Sequence, residues 1–164
     1  MKVLIVSDSH RHDENLDKVI EKEQPIDMLI HCGDVEGSEM HISEKCQCPV
    51  YMVRGNNDYF SNLSKEMEFR IGRYQVFLTH GHNYYVSMGT EMIVDEAKSR
   101  GVDMVMFGHT HRPVIEMVDG IMVINPGSIS FPSQDGKIPT YIVMEIDSNN
   151  DVTYKLCSFS KKYM

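Results

Sequence analysis

The sequence predicts an α/β fold with two β-sheets and helices on their outer sides. Two observations lead to this prediction. In the first third of the chain, short continuous apolar runs alternate with helical patterns, which is typical of parallel strands buried on both faces. In the remainder, most apolar runs are separated by tight turns, which is typical of strands in a second sheet. The length of 164 residues fits one domain over residues 1–164.

The first third predicts a βαβαβ unit. Leu16, Val19 and Ile20 recur at helical spacing, with Asp13 at the expected N-cap and Pro25 beyond the end of the helix. A short helix is expected before the third strand. The strands are predicted at Val3 to Val6, Met28 to Ile30 and Val50 to Val53.

The middle of the chain predicts a hairpin followed by a helix. Two strand patterns, residues 68–71 and 75–79, flank three turn residues. Ser87 is expected to cap a helix over residues 88–100 that ends at Gly101. Further strands are predicted at Met104 to Phe107, Val114 to Val118, Ile121 to Ile124, Tyr141 to Ile146 and Val152 to Cys157.

The acidic composition limits the function classes. The net charge is −8 and the pI is near 5.4. An extended nucleic-acid groove needs Lys and Arg to neutralise phosphates, so the charge argues against such a partner. Small phosphorylated ligands stay compatible with it, because bound cations can supply a positive field.

Export and membrane insertion are not expected. The apolar run at residues 1–6 is too short for a signal peptide, and no run approaches the roughly 20 apolar residues of a membrane span. The four cysteines show no paired spacing and are expected to be reduced thiols. These features predict a cytoplasmic protein with no membrane partner and leave homo-oligomer formation open.

Five short polar clusters each follow an apolar run predicted to be a strand. Metal-ligand side chains are costly in a core but suit strand ends, where a rigid sheet presents them to an open crevice. Four of the eight histidines fall in two of the clusters, and imidazole is a common ligand of transition metals. Together the clusters predict one site for two metal ions. They are Asp8-Ser9-His10, Gly33-Asp34, Gly55-Asn56-Asn57-Asp58, His80-Gly81-His82 and Gly108-His109-Thr110-His111.

Each cluster alone also has an ordinary structural explanation. In extended backbone Asp8 and His10 would point to one side, as two ligands of one ion do, but loop polarity explains the pair equally well. Asp34 after Gly33 is more often a turn former or a helix cap than a ligand. Residues 55–58 have the composition of a turn, although an asparagine oxygen can bind a hard metal. The order of the clusters after successive strands is what favours the metal site.

In this order the clusters resemble the motifs of the calcineurin-like metallophosphoesterase superfamily, especially its small bacterial and archaeal single-domain phosphodiesterases. The resemblance covers nearly the whole chain and includes Asn125-Pro126-Gly127-Ser128. It implies a four-layer αββα sandwich of two mixed sheets, with the site at the strand ends. It also implies two ligand sets that share Asp34, which are Asp8, His10, Asp34 and His111 for one ion and Asp34, Asn56, His80 and His109 for the other.

The implied activity is divalent-metal-dependent hydrolysis of a small phosphate ester, with a phosphodiester as the expected substrate. A hydroxide that bridges the two metals would attack phosphorus in line with the leaving oxygen. The mixed nitrogen and oxygen ligands make manganese the expected ion, with iron, zinc, nickel or magnesium as alternatives. No spacing supports Ser7 or Ser9 as a nucleophile, so both are expected to shape the backbone or to support ligands.

Position 57 departs from the resemblance. Many members of the superfamily carry a histidine there that assists phosphate binding and leaving-group protonation, whereas this chain has Asn57. An amide can donate a hydrogen bond to phosphate but is not a useful general acid at neutral pH. We therefore expect a preference for esters with easily displaced leaving groups, such as aryl phosphodiesters. His82 and His12 are candidates for the substitute acid or a phosphate contact, with an exposed polar role as the alternative for each; the role of Asp58 stays open.

A noncatalytic scaffold is the main competing function, and a nuclease of the same superfamily is another. The retromer complex contains a small subunit of this fold that acts mainly in protein assembly and also departs from the catalytic pattern. Here every implied metal ligand is present, which favours the enzyme, while the missing histidine keeps the scaffold open. Substrate specificity is expected to depend on residues 59–65 and 83–89, whose four aromatic side chains could stack on an aryl group or simply pack their loops.

Overall fold

A computed structural model describes residues 1–132 and 137–159, which form two five-stranded sheets with helices on their outer sides. No helix in these ranges is long and apolar enough to cross a membrane. The helices are α1 (Glu14–Glu23), α2 (Glu39–Cys46) and α3 (Glu91–Arg100). The strands are β1 (Lys2–Val6), β2 (Met28–His31), β3 (Val50–Met52), β4 (Glu66–Ile71), β5 (Tyr74–Thr79), β6 (Met104–Met106), β7 (Pro113–Val118), β8 (Ile121–Pro126), β9 (Thr140–Ile146) and β10 (Val152–Ser158).

Both sheets are mixed, and each has parallel strands at its centre. The first has the order β10-β9-β1-β2-β3, and the second has the order β4-β5-β6-β8-β7. Strands β1, β2 and β3 run parallel, while β9 pairs antiparallel with both β1 and β10. In the second sheet β5, β6 and β8 run parallel between antiparallel β4 and β7. The predicted βαβαβ unit and the predicted second sheet are both confirmed.

Three apolar layers hold the elements together. The inner faces of the two sheets pack against each other, with Val3 of β1 and Leu78 of β5 in one buried cluster. Helix α1 covers the outer face of the first sheet through Leu16, and α3 covers the second sheet through Ile93. Since apolar burial stabilises by about 25 cal/mol per Å², these three layers supply most of the driving force for folding. The fold is the four-layer αββα sandwich that the resemblance implies.

Two helix starts differ in detail from the prediction. Asp13 occupies the N-cap position of α1, but its side chain makes no capping hydrogen bond. Ser87 does not cap α3, which begins at Glu91 after an N-cap at Thr90. The physical reason is Gly89, whose φ of +147° lies outside helical backbone and prevents an earlier start. The predicted end of α3 at Gly101 is confirmed by its left-handed C-cap.

Candidate metal centre

The polar clusters meet at one edge of the sandwich. They follow the carboxyl ends of β1, β2 and β3 in the first sheet and of β5 and β6 in the second. Parallel strands in each sheet deliver their carboxyl ends to the same side, which is where α/β folds place their ligands. This arrangement brings the five clusters to the same side of the molecule.

A first group of close ligand atoms is formed by Asp8, His10 and His111. Asp8 Oδ1 lies 3.1 Å from His111 Nε2 and 3.7 Å from His10 Nε2. The two Nε2 atoms are themselves 3.2 Å apart. Two imidazole nitrogens converge here on one carboxylate oxygen, and a divalent transition-metal cation can bind these donors.

A second group is formed by Asp8, Asp34 and His80, all of them buried. His80 Nε2 lies 3.3 Å from Asp34 Oδ2 and 3.8 Å from Asp8 Oδ1. Asp34 Oδ2 is also 3.8 Å from His10 Nε2, so this oxygen faces both groups. Two carboxylates this close to each other in a buried site need positive charge between them.

Two atoms of these groups have no partner of their own. Among the described residues, Asp8 Oδ1 and His80 Nε2 are buried and accept or donate no hydrogen bond. His80 Nδ1 donates to the carbonyl of Cys32 at 2.7 Å, which turns Nε2 towards the carboxylates. His111 Nδ1 likewise donates to the carbonyl of Phe131 at 2.5 Å. Imidazole nitrogens and carboxylate oxygens that converge in a buried site are suitable ligands for a cation, so these residues fit a bound metal.

The charge states also fit a cation site. Burial raises the pKa of Asp8, but His111, whose Nε2 lies 3.1 Å from Oδ1, and the nearby His80 outweigh that effect and hold the pKa below its usual value. Burial likewise raises the pKa of Asp34, while His80 and Asn57 outweigh that effect and hold the pKa low. Both carboxylates are therefore ionised at neutral pH and available as metal ligands.

Asn56 and His109 lie beside the second group. His109 Nδ1 is 3.1 Å from Asn56 Oδ1, and the His109 ring centroid is 5.2 Å from that of His80. Neither residue belongs to the two groups of closely spaced atoms. The structure therefore brings them next to the other predicted ligands but pairs them with each other.

Asn57 is bound to Asp34 rather than projecting freely. Its Nδ2 donates to Asp34 Oδ2 and its backbone N–H donates to Asp34 Oδ1, each at 2.9 Å. His82 lies on the other side of the cluster, with its ring centroid 5.4 Å from His80 and 6.1 Å from His109. Burial lowers the pKa of His82, and the neighbouring His80 and His109 lower it further. His82 is thus neutral at pH 7 and able to accept a proton or a hydrogen bond.

Asp58 has a structural role that the sequence left open. Its Oδ2 accepts hydrogen bonds from the backbone N–H groups of Asp34 at 2.9 Å and Gly55 at 2.7 Å. Its Oδ1 accepts from the N–H of Glu36 at 2.6 Å. This buried carboxylate therefore joins the loop after β2 to the loop after β3 and holds Asp34 in place.

The end of β8 and the residues directly after it support the loops of the site, a role that the sequence did not reveal. Ser128 Oγ donates to the carbonyl of Asp8 at 2.8 Å. Asn125 Nδ2 donates to the carbonyl of Gly108 and to Thr110 Oγ1, each at 3.0 Å. The resemblance of residues 125–128 to a family motif was the available signal, but only the structure shows which loops they bind.

The serines after β1 also support ligands, as expected. Ser7 Oγ donates to Asp8 Oδ2 at 2.5 Å, and Ser9 Oγ lies 2.9 Å from His31 Nε2. The N–H of Gly33 donates to His31 Nδ1, so Nε2 of the neutral ring is the donor to Ser9. Burial lowers the pKa of His31 to about 4. His31 is therefore a neutral buried connection between the loops after β1 and β2.

The route by which Asp8 and His10 converge differs from the prediction. The expectation of extended backbone is wrong, because both residues have left-handed φ values, +55° and +48°. Asp34, His109 and His111 are left-handed as well, at +58°, +68° and +57°. Non-glycine residues rarely adopt this conformation, and such strain concentrates at functional sites. Tight turns, and not strand alternation, aim these side chains into the crevice.

The fold and the cluster together define a protein with a cation centre at the strand ends of an αββα sandwich. Residues 1–149 match the calcineurin-like phosphoesterase superfamily domain. The chain belongs to this superfamily, and the resemblance drawn from its motifs is confirmed. Members of the superfamily are phosphoesterases that use divalent metals.

Relatives and a solved structure agree with this assignment. The chain is 31% identical over 150 residues to the probable metallophosphoesterase YsnB of Bacillus subtilis, covering 91% of this chain and 86% of that protein. It is 34% identical over 144 residues to a phosphodiesterase of Methanocaldococcus jannaschii, covering 77% and 83%. Vps29 of Entamoeba histolytica, solved in complex with zinc, has the same fold, with a TM-score of 0.76, 22% identity and coverage of 98% and 100%.

Proposed function

We propose that this protein is a divalent-metal-dependent phosphodiesterase acting on a small phosphate ester. The observation that carries the proposal is the pair of buried, unpartnered atoms Asp8 Oδ1 and His80 Nε2, which face each other across 3.8 Å within a cluster of histidines and carboxylates. Such atoms are costly unless a cation binds them. The proposed ligands of one ion are Asp8, His10, Asp34 and His111, and those of the other are Asp34, Asn56, His80 and His109.

Asp34 is the proposed bridge between the ions. Its Oδ2 faces His10 at 3.8 Å and His80 at 3.3 Å, which are ligands of different ions in this assignment. Asn56 and His109 would exchange their mutual hydrogen bond for metal coordination. Manganese is the proposed metal, because the donor set is made of carboxylate, amide and imidazole groups without a thiolate.

The bound metals would supply a hydroxide nucleophile and neutralise charge on the phosphoryl oxygens. The residues of this chain then position the substrate. The Asn57 amide, 2.9 Å from Asp34, can turn a donor towards phosphate but cannot protonate a leaving group. His82, neutral and half-buried beside His80 and His109, is the proposed second contact to the phosphate.

An aryl phosphodiester fits the pocket next to the cluster. The pocket has a volume of about 660 Å³, is bordered by Asn57, and carries the exposed rings of Tyr59 and Phe60 on its wall. Aromatic faces favour stacking on a flat apolar group. Tyr84 is not available for this role, because its ring packs on Phe77 and its hydroxyl donates to Glu66.

The proposal is tested by metal loading followed by hydrolysis assays. We expect the manganese-loaded protein to hydrolyse bis(4-nitrophenyl) phosphate faster than alkyl phosphodiesters. Asp34→Ala should abolish activity and lower the metal content, whereas Asp95→Ala, which removes an exposed carboxylate of α3, should change neither. Activity that survives Asp34→Ala would overturn the bridging assignment, and equal turnover of alkyl and aryl diesters would overturn the substrate preference. A protein that binds metal yet hydrolyses no ester would favour the scaffold function.

A further inference from the structure

Arg11 stands at a backbone position that favours glycine. The N–H of His12 donates to the carbonyl of Ser9 at 2.9 Å, which closes a four-residue turn around His10 and Arg11. Both central residues have left-handed φ values, +48° and +63°. Turns of this kind select glycine or asparagine there, because a Cβ is strained at positive φ. His10 is explained by its contacts in the metal centre, but the fold gives no such reason for Arg11.

The guanidinium of Arg11 is also without a partner. The side chain is exposed, and it makes no hydrogen bond or ion pair with any residue in the described parts of the chain. It is not used to stabilise the turn or to neutralise a neighbouring carboxylate. A strained position occupied by an unpaired cation is therefore a cost to the fold without a visible structural return.

The place of Arg11 indicates what the cation is for. It follows His10 directly in sequence, and it lines the same 660 Å³ pocket as Asn57. Among the described residues, Arg11 is the one basic residue on that wall, where Glu36 and Glu39 would otherwise repel an anion. Asp58 on the same wall is already held by three backbone N–H groups. An anion entering the metal centre through this pocket thus meets one free guanidinium.

We propose that Arg11 is a substrate-binding residue whose guanidinium holds a phosphoryl oxygen of the substrate at the pocket side of the metal centre. The proposal rests on the proposed function. A guanidinium presents two parallel N–H donors to phosphate, which fixes both its position and its orientation. With the acid absent at position 57, this contact supplies a positive group beside the phosphate that does not depend on pH.

Folding stability separates this role from a structural one. Arg11→Gly removes the strain at φ +63°, so the urea midpoint of the metal-free protein should stay equal or rise. The matched control is Gln47→Gly, since Gln47 is an exposed residue at φ +54° in the C-cap of α2, away from the pocket. A clear loss of stability in Arg11→Gly that Gln47→Gly does not show would assign Arg11 to the fold and overturn the proposal.

Binding and kinetics give the positive test. With the manganese-loaded proteins, Arg11→Gly should weaken inorganic phosphate binding, measured by calorimetry, and lower kcat/KM for bis(4-nitrophenyl) phosphate, each by about 10- to 100-fold, the range expected for one charged hydrogen-bonding group. Manganese content should not change. The phosphate affinity and kcat/KM of Arg11→Lys should lie between those of the parent and those of Arg11→Gly, because lysine keeps the charge but loses the paired donors. Gln47→Gly should match the parent in both measurements.

The outcomes distinguish this proposal from the proposed function. If the parent hydrolyses no ester, the proposed function fails, and the phosphate-binding comparison still decides the role of Arg11. If the parent is active and Arg11→Gly retains the phosphate affinity and the kcat/KM of the parent, the proposed role of Arg11 is overturned and the proposed function stands. A manganese-loaded parent protein that binds no phosphate would also overturn the proposed role of Arg11.

Discussion

At the scale of single residues, Asp58 shows how one side chain can hold a metal centre without touching a metal. Both of its oxygens are occupied by backbone N–H groups from two loops, at 2.6 to 2.9 Å. Asp58→Ala leaves these donors unpaired in a buried site, so we expect the free energy of unfolding to fall by about 3 kcal/mol. Metal affinity should fall as well, because the N–H of Asp34 loses its acceptor. Urea unfolding and manganese titration measure the two effects.

The control for this prediction keeps the shape of the side chain. Asp58→Asn retains one carbonyl acceptor and should lose less stability than Asp58→Ala. Unfolding curves for Asp58→Ala that superpose on those of the parent would show that water satisfies the three N–H groups equally well.

The same residue scale shows what the sequence could and could not predict. Asp8, His10, Asp34, His80 and His111 were predicted as neighbours from their positions after strands, and the structure places their ligand atoms together. The partners of Asp58 could not be predicted, since they are backbone N–H groups that carry no residue-specific signal. The conformation around Asp8 and His10 was predicted wrongly because left-handed turns are set by tertiary contacts and not by alternation.

At the scale of elements, the turn after β2 depends on the absence of a side chain at Gly33. A Cβ there would lie 2.6 Å from Nδ1 of His80, and the φ of +106° adds strain. We expect Gly33→Ala to displace His80 and to lower manganese affinity more than tenfold. Gly120→Ala is the matched control, because Gly120 has a φ of +82° in the β7–β8 turn and its Cβ would meet nothing within 4 Å.

Both alanine variants should lose about 1 kcal/mol of stability from backbone strain, and Gly33→Ala should lose more because its Cβ also clashes with His80. Only Gly33→Ala should also lose metal affinity, which calorimetry with manganese would measure. Equal manganese affinity in the two variants would mean that His80 moves without cost or does not bind the metal.

The end of α1 is joined to the first sheet by a charged network with a defined pH dependence. Lys2 Nζ of β1 lies 3.0 Å from Glu23 Oε2, and the Tyr141 hydroxyl of β9 donates to Glu23 Oε1 at 2.7 Å. Burial raises the pKa of Glu23, but the hydrogen bonds from Tyr141 and Lys2 outweigh it and hold the pKa below its usual value. Glu23 therefore binds a proton more readily in the unfolded chain than in the folded protein. The stabilisation that ionised Glu23 gives to the folded state is lost as the pH falls below about 4.3.

The measurable consequence is a pH-dependent effect of Glu23→Gln. Its destabilisation relative to the parent should be full at pH 7 and should shrink as the pH falls below the ordinary pKa of glutamate, about 4.3. Urea unfolding at a series of pH values measures this difference. Glu44→Gln, an exposed position on α2, should show no such trend. A difference that stays constant down to pH 3 would mean that Glu23 titrates normally.

Helices and strands were predicted correctly where a local pattern of apolar residues specifies them. Features that depend on contacts distant in sequence were not predicted. The βαβαβ unit and the β4–β5 hairpin follow from the pattern of apolar residues. The start of α3 was placed too early because Ser87 offers a cap signal, while the φ of Gly89 depends on the loop around it. The pairing of β1 with β9 joins residues about 140 positions apart, which no local pattern specifies.

At the scale of the whole molecule, the metal centre couples the two sheets. Asp8 and Asp34 come from the first sheet, whereas His80 and His111 come from the second. Each of the two proposed ions takes ligands from both sheets, so its binding stabilises the folded sandwich relative to the unfolded chain. By linkage, an ion at 100 times its dissociation constant adds about 2.7 kcal/mol to the free energy of unfolding.

For a chain of this size, each kcal/mol raises the melting temperature by about 2 to 4 °C, so one bound ion should raise it by about 5 to 11 °C. Thermal unfolding with excess manganese and with a chelator measures the shift. Asp34→Ala should lose most of it, while His41→Ala, at an exposed histidine that pairs with Asp17, should retain it. Because melting needs no substrate, a manganese shift in a protein that hydrolyses no ester would still establish the cation centre. Equal melting temperatures with manganese and with the chelator would overturn it.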